Sequence, residues 1–146
     1  MRVFVWWLQA PVSDAGAIRS TIASEDRKRS EWPHVALPGV DGPDMNKLEK
    51  LARPKRPKGS AKIGGVLLDK SKLTATPFTA VSQMNPEYLQ ALTALDEAGL
   101  AALAAAWVKV IDRVEEKHAL ELVTQMAAFA RQAAEKGSPV LELVAM

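Results

Sequence analysis

The densest set of side chains able to do chemistry lies at Asp112, Glu115, His118 and Glu121. The Glu115-x-x-His118 spacing matches one half of the Glu-x-x-His element from which carboxylate-bridged metal bundles are built. Such a centre needs a second copy on a helix and further inward carboxylates; His34, with Glu31 three residues before it, falls in an irregular stretch instead. The expectation is solvated helix charges with local ion pairs, and no metal or other cofactor.

Nucleophilic catalysis would need His34 or His118 beside a serine, yet no Gly-x-Ser-x-Gly elbow singles one out. Adjacent Glu115 and Glu116 point in different directions on a helix, so they do not make an acid and base pair. Gly59 to Gly65 lacks the Gly-Lys-Ser/Thr ending of a phosphate loop. The residues predict no enzyme.

Two sets can bind rather than react. Arg53, Lys55, Arg56, Lys58 and Lys62 lie within ten positions that also hold two prolines and a glycine, a flexible basic segment able to follow a phosphate backbone or simply to be solvated. Trp6, Trp7 and Trp32 are the candidate partner-binding aromatics, against the alternative that they supply bulk to a core with only three Phe and one Tyr. Consecutive Trp6 and Trp7 face opposite sides of a strand, so one of them is expected to be partly exposed, and that one is the better interface candidate. Glu142 interrupts the apolar stretch Val140 to Val144, which predicts an exposed edge there or a partner contact.

The elements that must position these residues begin with Arg2 to Gln9, whose continuous apolar run reads as a strand covered on both faces and stopped by Pro11. Ser13 is placed to cap a helix to about Ala23, with Ile18 and Ile22 on one face. Residues 24 to 43 read as an irregular loop containing Glu25 to Arg29 and Trp32-Pro33. Asp44 then caps a short helix carrying Met45, Leu48 and Leu51, stopped by Pro54. Ile63 to Leu68 and Thr74 to Gln83 are expected to be extended, with Pro77 favouring an edge or bend.

The second half predicts helices. Asn85-Pro86 starts one that runs to about Leu95, and Asp96 caps a second with Leu100, Leu103, Trp107, Val110, Ile111 and Val114 at three- and four-residue spacing. A third carries Leu122, Met126, Phe129 and Ala133, with Gly137 placed to end it. Pro139 to Ala145 reads as a final strand. The expected fold is one α+β domain over 1–146, a small sheet holding the N- and C-terminal strands against the C-terminal helices.

The chain has 146 residues and no cysteine, which removes disulfides and thiolate chemistry and suits a reducing, cytoplasmic setting. Its N-terminal apolar run is too short for a membrane span. Net charge is +2, but residues 1–72 hold 14 Lys/Arg against 8 Asp/Glu and residues 73–146 hold 5 against 9. That asymmetry fits a polar partner surface or two complementary parts of one fold.

The helix Val123 to Lys136, with Phe129 and Ala133 in Phe-x-x-x-Ala spacing, followed by Gly137-Ser-Pro-Val-Leu-Glu-Leu-Val, resembles the C-terminal end of the uncharacterised bacterial YfbM-like family. Trp32-Pro33-His34-Val35, Gly39-Val40-Asp41 and Leu48-x-x-Leu51 resemble a pattern in small uncharacterised bacterial proteins. The resemblance covers about a third of the chain, implies an α+β fold and assigns no catalytic residue; the basic Arg53 to Lys62 stretch departs from it. The functional expectation is a non-enzymatic interaction domain of the immunity or antitoxin type, with one protein partner such as a toxin. The alternative is a nucleic-acid accessory protein using the basic segment.

Overall fold

A computed structural model describes residues 4–23, 32–52, 70–75, 79–111 and 114–145. The cluster Glu25 to Arg29, the basic segment Arg53 to Lys62, the strand expected at Ile63 to Leu68, Pro77 and Asp112 lie outside the described residues.

The fold is α+β. Five strands, β1 (Phe4–Gln9), β2 (His34–Ala36), β3 (Lys70–Ala75), β4 (Thr79–Met84) and β5 (Val140–Ala145), form one antiparallel sheet in the order β2-β1-β5-β4-β3. The terminal strands are neighbours, as expected, and β5 occupies the centre of the sheet. The single extended element expected at Thr74 to Gln83 is instead parts of two antiparallel strands, β3 and β4, on either side of residues 76–78.

Both faces are covered. A short 3-10 turn (Val12–Asp14) leads into α1 (Ala15–Ala23), whose Ala15 and Ile18 pack with Trp6, Leu8, Val81, Leu141 and Leu143 on one face. Ser13 sits inside that turn and is not the helix cap expected of it. On the other face lie α2 (Gly42–Ala52), α3 (Pro86–Thr93), α4 (Glu97–Val108) and α5 (Glu116–Lys136). Their Leu48, Tyr88, Leu92, Trp107, Leu122 and Met126 share a core with Val5, Trp7 and Val140. Burial on both sides explains why β1 and β5 are almost continuously apolar instead of alternating.

Local signals set the helix ends. Asn85 accepts the Glu87 N–H ahead of Pro86, and Asp96 accepts the Gly99 N–H at 2.7 Å. In α2 the cap is Asp41, not Asp44: the Asp41 carboxylate accepts the Asp44 N–H at 2.8 Å while Asp44 accepts the Asp41 N–H at 3.2 Å. The two acids form a reciprocal capping box, so Asp44 belongs to the first turn. Helix α4 stops at Val108, short of the Val114 that its spacing suggested; a turn keeps Ile111 buried and turns Val110 outward. Gly137 ends α5 at φ +64°, a left-handed position where glycine avoids the Cβ penalty. Among the described residues, no helix is long and apolar enough to cross a membrane.

Candidate functional site

Of the charged set that opened the sequence reading, the described members Glu115, His118 and Glu121 do not converge on a shared centre. Glu115 precedes α5 without a side-chain cap bond, and Glu121 lies 4.0 Å from the His118 Nδ1. His118 is used structurally: its Nε2 is 2.8 Å from the Pro38 carbonyl oxygen. It thereby ties α5 to the turn at Gly39, whose φ of +85° requires glycine and where a Cβ would approach the same nitrogen to 3.2 Å. Among the described residues no group of three His, Asp or Glu side chains is arranged to hold a metal.

The four proposed partner contacts are placed mostly inward. Glu142 is 1% exposed, which corrects the expectation of an exposed edge. Its strand is central, and its neighbours across the sheet are Trp7 on one side and Ser82 on the other. The Trp7 indole N–H donates to the Glu142 carboxylate at 3.0 Å, and the Trp7 ring meets Tyr88 edge-on at 5.9 Å. This indole donor contributes to holding the carboxylate in the core, because an unpaired buried charge costs several kcal/mol. Trp6 is also buried, under the ring of His34 at 5.6 Å, so neither of the paired tryptophans is the exposed one expected. Trp32 is half-buried, with its indole donating to Asp14 at 3.1 Å.

Tyr88 completes the buried polar centre. Its hydroxyl has no hydrogen-bond partner among the described residues, and burial, reinforced by the negative charge of Glu142, holds its pKa well above 10.0. Above about pH 10 the unfolded chain releases this proton while the folded chain keeps it, so the stability is full below the unfolded pKa and falls as pH rises toward the folded one. Since Tyr88 is the only tyrosine, a spectrophotometric phenolate titration reads it alone. The expected result is no phenolate signal until the protein unfolds, and a flatter alkaline stability limb in Tyr88→Phe; ionisation of the native protein near pH 10 would contradict this placement.

The outward-facing chemistry lies where α2 meets the end of α4. Lys47, Lys50 and Leu51 follow i, i+3, i+4 spacing on one face of α2. The Lys47 ammonium donates to the Val110 carbonyl at 3.0 Å, bringing Lys109 and Val110 against that face. Leu51 is 41% and Val110 45% exposed, although the spacing of each suggested core. The corner therefore combines two exposed apolar side chains with three lysines. Sequence reasoning missed it because helical spacing alone does not show where one helix stops and its neighbour begins. The chain matches no family model, no curated protein and no solved structure.

Proposed function

We propose that the protein is a non-enzymatic interaction domain that blocks one partner protein, in the manner of an immunity protein or antitoxin. The observation that carries this reading is the corner of Lys47, Lys50, Leu51, Lys109 and Val110, where apolar area and positive charge are exposed together. Charge complementarity assigns the partner an acidic patch, and the exposed leucine and valine call for apolar side chains within it. A cytoplasmic setting accords with a chain that has no cysteine.

One observation favours a second reading. Helix α2 carries Lys47 and Lys50 and is followed at once in the sequence by Arg53, Lys55, Arg56, Lys58 and Lys62. That concentration of cations suits phosphates, and nucleic-acid binding through it would weaken steeply with salt.

Purifying a tagged copy from its native host, with nuclease treatment and a salt series, separates the two. The interaction reading expects one stoichiometric protein that survives nuclease and is lost from a Leu51→Asp/Val110→Asp variant. Nucleic acid released by moderate salt, with no such protein, would overturn it in favour of the basic-segment reading.

A further inference from the structure

The short strand β2 is an edge of the sheet, and its register shows which backbone groups it leaves without a partner among the described residues. The Leu37 N–H donates to the Val5 carbonyl, and the Gln9 N–H donates to the Pro33 carbonyl, both at 2.9 Å. Residues 33, 35 and 37 thus turn their polar backbone groups toward β1. The alternate residues, His34 and Ala36, turn theirs away from the sheet, where none pairs with another described residue. Beyond them the edge closes on both sides. The Trp32 carbonyl is 3.1 Å from the His34 Nδ1, the Pro38 carbonyl is engaged by His118, and Pro38 has no N–H. The edge is therefore a ladder of two donors and two acceptors, bounded at each end.

We propose that this edge pairs with the same edge of a second copy of the chain, forming a two-fold dimer with a continuous ten-stranded sheet. The complementarity is one of charge and of size. About a two-fold axis at Val35, each outward N–H meets an outward carbonyl: His34 exchanges two hydrogen bonds with the partner's Ala36, and Ala36 exchanges two with the partner's His34. On the face where His34 stacks on Trp6, the large ring lies beside a methyl group, and both side chains are exposed in the single chain. Val35 meets its own copy on the opposite face. Phe4, 39% exposed on the adjoining strand, extends the apolar surface at this seam. Helix α1 packs chiefly over β3, β4 and β5 and reaches Trp6 and Leu8 of β1, while His34 and Ala36 of β2 stay exposed. A ladder this short makes a weak dimer that forms with rising concentration.

The inference is independent of the partner-blocking reading, since it uses the β2 edge of the sheet and none of the corner residues. Sedimentation equilibrium over a concentration series tests it. The wild type is expected to approach twice its 15.8 kDa mass at high concentration. Ala36→Pro removes only an outward N–H and should stay monomeric. Ala36→Lys, at an exposed position and with the internal ladder intact, should do the same while circular dichroism remains native. Because the chain has no cysteine, Val35→Cys, half-buried at the edge, provides a register check: mild oxidation should cross-link it at least tenfold faster than Val12→Cys, a control at a more exposed position. A wild type monomeric at every concentration, a dimer untouched by both Ala36 variants, or equal cross-linking of the two cysteine variants would overturn the proposal.

Discussion

Replacing Trp107 with alanine is expected to destabilise the fold by about 3–5 kcal/mol, the range for deleting a buried large aromatic. Trp107 is fully buried in α4, among side chains from α2 and α5, and its indole N–H donates to the Asp44 carbonyl at 2.9 Å. The variant thus loses packing between three helices and one of the bonds that fixes α2 against α4. Its midpoint in thermal unfolding should fall by roughly 10 °C, at about 3 °C per kcal/mol for a chain of this size. A fall of only a degree or two would show that α4 can collapse into the space, and that the helix layer is less closely packed than its burial indicates. The same variant should loosen the exposed corner, because the Lys47 bond to Val110 depends on the two helices staying in register.

Replacing Glu142 with alanine should cost about 2–3 kcal/mol, because the Trp7 indole N–H, itself completely buried, loses its acceptor and a gap opens in the central strand. Glu142→Gln keeps an acceptor of similar shape and should cost about 1 kcal/mol or less. Urea unfolding of both variants decides the matter. Equal losses would mean that the carboxylate charge, not its hydrogen bond to Trp7, is what the core requires. Combining Glu142→Gln with Trp7→Phe tests the pair directly, since residues in contact couple and their effects should not add.

The elements with strong local signals were legible from sequence. Asn85-Pro86, Asp96 and Gly137 name their own helix ends through hydrogen bonds and backbone conformation that need no tertiary partner. The apolar runs of β1 and β5 were legible too, because a strand covered on both faces cannot hide its composition. Asp41 and Asp44 show the limit: either can cap a helix, and only the reciprocal pair seen in the structure decides between them. Glu142 was misplaced for a related reason. A lone acid in an apolar strand reads as an edge, and nothing in the sequence connects it with Trp7, 135 residues away.

The candidate site was less legible than the fold. The tryptophans drew attention as large aromatics, but most of that surface went into the two cores beside the sheet. Leu51 and Val110 are far apart in sequence and each fits an apolar helical spacing. The exposure of Val110 follows from the early end of α4, a product of packing rather than of any local pattern. The lysines around them acquire meaning only once that corner exists.

The most direct test of the corner is the Leu51→Asp/Val110→Asp variant measured against the stoichiometric partner by titration calorimetry, with thermal unfolding in parallel. Both positions are exposed, so the unfolding midpoint should stay within a degree or two of the wild type. Two negative charges among Lys47, Lys50 and Lys109, facing an acidic patch, should lower affinity at least about 30-fold, the effect of losing roughly 2 kcal/mol at an interface hot spot. Unchanged affinity in a normally folded variant would contradict the account and move the binding surface elsewhere.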